Sequence, residues 1–463
     1  MNVRVLRIEL RRSVAPWAGA VVLTTALGFL YLVNAAWWHG TTAWTAQWTT
    51  MALWTRAMLF YLWPLAVGLG ALQGLRDHRS KMSELLTSTS RPAWHRAATL
   101  AGTTAITLAS AFALLVLVGG VQVLANTEYT HLGWLPISLV GALFLVAGAV
   151  LGMGAGRALP SALTPPVLAI TAFVFTAVMP MWLGRTETDA ATGIESTEPT
   201  RITLLSPTVE EVRDVFVTLS ASVHLGQTIW LLGMAATGFA LLVATTLRTR
   251  LIALTPVLAG AMIALLVLPS DPHRIHVVDK AAAELVCDGP VCVTKSHEAR
   301  LADLGPHGKK ALRLLHDALG GKAPVSIREN VTVRPDGSAP RWSRETMLLD
   351  FDDAIIADAK GEELTRALIA NGMVPGCSPL GWTGTLSDAA AQSIAASWVL
   401  GDLKPLSGSP HASTEQIALA RPVWKKLMAL PRAEQLSRIS AMHAAALSCE
   451  GDAFDALSGG ASR

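Results

Sequence analysis

Between Ser13 and Thr55 the chain carries no Asp, Glu, Lys or Arg. A soluble domain needs charged residues every few positions to face water, whereas the hydrocarbon core of a bilayer, roughly 30 Å thick, is crossed by about 20 mostly apolar residues. Runs of the second kind recur, and seven spans are expected: Val14 to Ala36, Ala52 to Leu75, Ala97 to Ala125, Leu132 to Ala155, Ala158 to Gly184, Thr228 to Leu247, and the short Leu251 to Leu268. From Ser270 onward charged residues return at the spacing of a solvated surface. The expected fold class is therefore an all-α polytopic membrane domain (residues 13–268) followed by a soluble, helix-rich α+β domain (residues 269–463). The formal charge of +3 is small and dispersed, with no basic stripe interleaved with aromatics, which argues against a nucleic-acid partner.

Lys and Arg near span ends stay cytoplasmic. One set of connections holds Arg4, Arg7, Arg11 and Arg12, then Arg76, Arg79, Lys81, Arg91 and Arg96, then Arg157, then Arg248 and Arg250; the opposite set holds Arg56, Arg185, Arg201 and Arg213. The first set is read as cytoplasmic. This gives a multi-pass bacterial membrane protein with its N-terminus inside and, after an odd number of spans, its second domain outside the cytoplasm. The first apolar run is longer than a signal-peptide core and has no small-residue cleavage site, so no cleaved leader is expected.

All four cysteines, Cys287, Cys292, Cys377 and Cys449, fall in the second domain, an even count that suits an oxidising compartment. Asp288-Gly289 reads as a tight turn between two short strands. This favours Cys287 with Cys292 among the three possible connectivities and leaves Cys377 with Cys449. The pattern predicts a hairpin over Glu284 to Val293, a helix over Glu298 to Leu319 interrupted near Pro306, and strands over Val325 to Val333 and Thr346 to Phe351. Helices follow over Asp353 to Ala370, Asp388 to Leu400, Thr414 to Ala429 and Ala433 to Leu447.

Three amphipathic pieces flank the spans. In the connection Arg76 to Trp94, Met82, Leu85, Leu86 and Thr89 recur on one helical side, while Lys81, Glu84 and Ser88 fall elsewhere and Pro92 ends the pattern. In residues 1–12, Val3, Leu6, Leu10 and Val14 form a stripe beside Arg4, Arg7 and Arg11, the layout of an interfacial helix entering the first span. Before the sixth span, Thr208-Val209-Glu210-Glu211 reads as a capping box, with Val209, Val212, Phe216, Leu219 and Val223 on one face. That face also suits a helix packed on its own exported domain.

The connection after the second span, with its charged cluster, Glu84-Leu85-Leu86 and the Arg91-Pro92 end, resembles the coupling helix of ABC type 2 exporter permeases. The match is architectural and covers roughly the first 247 residues, including the N-terminal elbow and the short outer helix. The resemblance implies that Met82, Glu84, Leu85 and Leu86 contact a separate cytoplasmic ATPase subunit, with Arg79, Lys81 and Arg91 at the rim. It further implies a dimer with a second copy or a related permease chain, a bilayer environment, and outward passage of a hydrophobic or amphipathic substrate. The seventh span and the large second domain depart from that family's minimal core.

Apart from Arg56 the spans hold no Asp, Glu, Lys or Arg, the groups that ordinarily couple transport to ions. The chain has no Gly-x-x-x-x-Gly-Lys-Ser/Thr, so ATP and Mg are expected only through a partner subunit. No catalytic or metal residue is assigned. His297-Glu298 opens like a zinc-peptidase motif, but Leu301 stands where the second His would be. His273 and His276 lack an evident third ligand, and Asp350, Asp352 and Asp353 suit a helix cap as well as a site. Trp37, Trp38, Trp44, Trp48 and Trp54 suit an aromatic belt. Two other classes remain: a membrane-anchored sensor or immunity protein whose exported domain binds a ligand or partner, and an enzyme acting through that domain.

Overall fold

The computed structural model describes residues 15–29, 47–79, 92–127, 129–188, 195–208, 217–332, 341–351, 353–378 and 384–459. They divide into two compact units, one of residues 1–186 with 197–277 and one of 187–196 with 278–463.

The first unit is helical. Its helices are α1 (Ala15–Gly28), α2 (Trp48–Ala57), α3 (Leu59–Gly74), α4 (Ala93–Asn126), α5 (Trp134–Ala158), α6 (Thr164–Leu183), α7 (Ala221–Val243), α8 (Leu247–Ile252) and α9 (Thr255–Val267). Among the described residues five helices are long and apolar enough to cross a membrane: α4, α5, α6, α7, and α8 with α9 taken together as Leu247–Val267. The expected second span is bent by 47° between α2 and α3, the geometry of either a broken span or a re-entrant loop. The described part of the expected first span is the 14 residues of α1. The fifth span starts six residues later than expected. Pro160 and the Ser161 turn stop α5 from running on, and Pro165 and Pro166 start α6, where a missing N–H costs nothing.

Small residues let these helices touch. Gly70 and Gly74 of α3 face Gly148, Gly152 and Gly156 of α5, both sets at four-residue spacing. A Cβ at Gly70 or Gly74 would collide with the Ala149 or Met153 carbonyl, and one at Gly152 or Gly156 with the Val67 or Ala71 carbonyl. On the other side of α5, Gly154 meets Gly238 of α7 backbone to backbone. Lipid tails are as apolar as Leu, so close backbone approach replaces the hydrophobic drive between helices. Threonine hydroxyls inside the helices find acceptors: Thr103 and Thr107 bond back to the Leu100 and Thr103 carbonyls, and Thr104 reaches Gln73 Oε1 on α3 at 3.0 Å. Trp48 is buried and stacked on Trp134 at 5.2 Å, a core position in place of the expected interfacial belt.

Four short strands, β1 (Arg185–Thr188), β2 (Glu195–Glu198), β3 (Val217–Leu219) and β4 (His276–Val278), pair as β1 with β2 and β3 with β4.

The second unit is α+β. Its sheet has the order β5 (Leu285–Asp288), β6 (Val291–Thr294), β7 (Ser326–Glu329), β8 (Thr346–Leu349), with β5 antiparallel to β6 and the other pairs parallel. Gly289, at φ +65°, makes the expected hairpin turn and sets Cys287 opposite Cys292. Helix α10 (Leu301–Leu319) crosses from β6 to β7. It buries Leu304, Ala311, Leu312 and Leu315 in one core with Val291, Val293, Ile327, Met347 and Leu349 of the strands. Pro306 lies inside α10 without interrupting it; the break falls earlier, at His297, with φ −119° and ψ 22°.

Among the described residues this unit has five more helices of six residues or longer: α11 (Gly361–Met373), α12 (Leu386–Leu400), α13 (Ser413–Met428), α14 (Arg432–Ser448) and α15 (Ala453–Ser458). The helix expected over Asp353 to Ala370 is split. The Asp353 carboxylate caps a short turn, Ala354–Ala357, by accepting from Ile355 N–H, and Gly361 at φ +56° opens α11. Alanine-rich α12 is buried from Ala389 to Trp398 and packs against α11, α13 and α15. Both expected disulfides are present, Cys287 to Cys292 and Cys377 to Cys449.

Candidate functional site

Arg56, fully buried near the end of α2, is the largest buried polar side chain of the first unit. Its Nε donates to the Pro207 carbonyl at 3.1 Å and its Nη2 to Gln227 Oε1 of α7 at 2.6 Å. Gln227 Nε2 in turn donates to the Leu204 carbonyl at 2.8 Å. The guanidinium stands 5.5 Å from the centroid of the Phe144 ring of α5. Two side chains 171 residues apart thus hold one stretch of backbone, the 3-10 turn Thr203–Leu205 and the residues after it. Burying a guanidinium is costly unless its N–H groups are met. Both of these acceptors are neutral, and Arg56 Nη1 and the nearby His224 Nδ1 are buried without a hydrogen bond among the described residues.

The clamped turn forms one wall of a cavity of about 330 Å³. Leu204, Thr203 and Thr208 line that wall, Pro180 and Met181 come from the end of α6, Thr197 and Glu198 from β2, and Ile275 and His276 from the start of β4. That volume is at the small end of ordinary ligand pockets. Its lining is mixed: proline, leucine, isoleucine and methionine surfaces interrupted by threonine hydroxyls, one carboxylate and one imidazole. Burial pushes His276 down to about 4, so the imidazole is neutral at physiological pH. Its Nε2 has no hydrogen bond among the described residues. The chemistry suits a compact molecule with an apolar body and a neutral polar group. Among the described residues no three His, Cys, Asp or Glu side chains converge as a metal site would require.

The place of this cavity in the bundle follows from helix direction. Gly156 of α5 sits against Ala71 of α3, which brings the ends of those two helices to the same side as the connection after α3. Helix α6 starts on that side and ends at Leu183 on the opposite one. The cavity and the carboxyl end of α3 therefore lie at opposite ends of the first unit.

The residues read from sequence fare unequally. Arg79 closes a four-residue helical turn, Arg76–Arg79, while Lys81, Met82, Glu84, Leu85, Leu86 and Arg91 lie outside the described residues, as do Arg4, Arg7 and Arg11. Val209, Val212 and Phe216 also lie outside them. Leu219, however, is in strand β3 and Val223 is in the first turn of α7, so the predicted helical face cannot run to its end; β-branched Val217 and Thr218 pair with β4 instead. Of His273 and His276, considered together as a metal pair, His276 alone lines the cavity. Gln227, Leu204 and Glu198 carried no sequence signal. The signal present was Arg56 itself, the one basic residue inside an apolar run. No protein-family model matches the chain, and no curated protein or solved structure shows significant similarity to it.

Proposed function

We propose that this chain is the membrane-spanning permease subunit of an ABC-type exporter, driven by a separate ATPase that docks on the connection Arg76 to Trp94. In this reading the chain has seven spans, an inner N-terminus and an exported second unit, and it pairs with a second copy or a related chain. ATP and Mg are held by the partner. The cargo is hydrophobic or amphipathic, and the cavity beside Leu204 and His276 is the outer contact it meets last.

The observation that carries the reading is the glycine seam between α3 and α5. Gly74 is the last residue of α3, directly before the connection, and it lets α3 approach the Met153 backbone closely. A push delivered to the connection is passed on to α3 and α5 together, which is the mechanical requirement for a subunit powered from outside.

The test is copurification from native membranes. The wild-type chain brings down a P-loop ATPase, and the triple variant Glu84→Lys, Leu85→Ala, Leu86→Ala releases it while still reaching the membrane. A thiol reagent that cannot cross the bilayer should label a cysteine placed at Ser83 only after the membrane is opened. Labelling of intact cells, or a native particle with no nucleotide hydrolase, refutes the proposal.

A further inference from the structure

The three parallel strands of the second unit end close together, and the side chains at their carboxyl ends form a cluster that the permease reading does not use. Parallel sheets ordinarily bind their ligands at this edge. Glu329, the last residue of β7, is buried with its side chain 3% exposed, and its Oε2 accepts from the N–H of Thr294, the last residue of β6, at 2.7 Å. Its Oε1 lies 2.8 Å from Nδ1 of His297, at the kink just beyond β6. Phe351, just beyond β8, packs its ring 4.5 Å from the imidazole, and the Arg300 guanidinium stands 5.7 Å from that same ring.

These contacts fix the state of the imidazole. A carboxylate oxygen accepts, so the imidazole nitrogen that faces Glu329 Oε1 is the donor. When neutral, His297 therefore keeps its proton on Nδ1, and the lone pair is on Nε2, which makes no hydrogen bond among the described residues. Phe351 limits rotation of the ring. An imidazole held by a carboxylate at one nitrogen with the other left open is a pre-oriented proton acceptor. The nearby hydroxyls of Thr294 and Ser296 are buried and bonded to each other at 2.6 Å, which leaves water as the nucleophile. Arg300 donates through Nη2 to the Ala357 carbonyl at 2.9 Å and has no carboxylate partner among the described residues. It supplies an uncompensated cation beside the base.

We propose that this edge is a hydrolytic site for carboxylic esters carrying an anionic group, with His297 as the catalytic base, Glu329 as a positioning residue and Arg300 as the anion contact. His297 Nε2 takes a proton from water as the water oxygen adds to the ester carbonyl carbon. The tetrahedral intermediate then collapses, the bond to the alcohol oxygen breaks, and that oxygen takes the proton from the imidazolium. Ester and water become acid and alcohol, and His297 returns to its starting state. An ester suits a lone base better than an amide does, because an alcohol oxygen departs with less help than an amine nitrogen.

The experiment uses the full-length protein in detergent with 4-nitrophenyl acetate and mono-4-nitrophenyl glutarate. Wild type is expected to hydrolyse both faster than the same concentration of free imidazole, with the lower KM for the anionic ester. His297→Gln, which preserves side-chain bulk, lowers kcat/KM about 100-fold. Glu329→Gln lowers kcat more than KM and moves the acid limb of the pH profile, which loss of packing alone does not do. Arg300→Gln raises KM for the glutarate more than for the acetate. Circular dichroism and intact disulfides establish that each variant is folded. Hydrolysis no faster than free imidazole, or a folded His297→Gln variant working at the wild-type rate, overturns the proposal.

Discussion

Both units of this chain have a core of large apolar side chains, but they differ in how closely their backbones approach. In the first, the closest contacts are made where side chains are missing: Gly70, Gly74, Gly148, Gly152 and Gly156 bring α3 and α5 together, and Gly154 with Gly238 does the same for α5 and α7. In the second, Leu, Ile, Met and Trp side chains fill one continuous core, and two disulfides tie its loops. The difference follows from solvent. Water drives apolar side chains together, so a water-exposed unit gains by burying large ones. Between helices in lipid that drive is absent, and stability comes from the closeness of packed backbones and from shared hydrogen bonds such as Thr104 to Gln73.

Breaking the second unit's covalent tie is the largest expected perturbation. The Cys377 to Cys449 bond spans 72 residues of sequence against 5 for Cys287 to Cys292. Loop-closure entropy makes the long bridge the more valuable, about 2–5 kcal/mol. Cys377→Ser with Cys449→Ser should lower the denaturant midpoint of the second unit more than the paired change at 287 and 292, and should leave the helical bundle untouched. An equal or larger loss from the short bridge would mean that the hairpin, and not the helical layer, limits stability.

The complementary perturbation is Gly152→Val. Its added carbons fall on the Val67 carbonyl, for an overpacking cost of about 1–3 kcal/mol. Ala391→Gly, in the buried α12, removes a core methyl in the second unit and should cost about 1 kcal/mol through helix propensity alone. If the contrast between the units is right, adding carbon damages the first and removing it damages the second. Thermal unfolding in detergent, followed by hydrogen exchange on peptides from each unit, separates the two; a bundle indifferent to Gly152→Val would break the comparison.

The smallest effect sharpens it through pH. His443 of α14 is buried, and its Nδ1–H donates to the Met373 carbonyl at 2.9 Å. Burial, helped by Arg344, holds it below the usual histidine range despite that bond. The unfolded chain therefore binds this proton at a pH where the folded chain does not, and stability falls as pH drops below about 6.5, by at most about 1.4 kcal/mol per pH unit. His443→Asn keeps a donor for Met373 and should flatten the slope. Denaturation midpoints at pH 7 and pH 5 give the difference; equal slopes would show that His443 does not contribute.

The third to seventh expected spans could be read from sequence because hydropathy is a local property, and so could the β5–β6 hairpin, since Asp288-Gly289 carries its own turn chemistry. The bend at Met58 could not, because no proline or glycine marks it in the sequence. The strands β1 to β4 were equally hidden: each is three or four residues long, and β3 finds its partner only beyond two spans. The glycine seam was written in the sequence at four-residue spacing, but which helix it faced was not. The site shows the same limit. Arg56 stood out as a charge among apolar residues, while Gln227 and the Leu204 and Pro207 carbonyls that meet it are far away in sequence. Likewise His297 was noticed for a motif it fails to complete, and the partner that gives it meaning, Glu329, lies on another strand.

Helix α5 has glycine on two faces, and so the backbones of two neighbours come within contact of its own. The keel made by α3, α5 and α7 is therefore closely joined, whereas the apolar stretch of α6 is only 11% enclosed. Bulk added along that keel has nowhere to go, whereas the open side of α6 can take it.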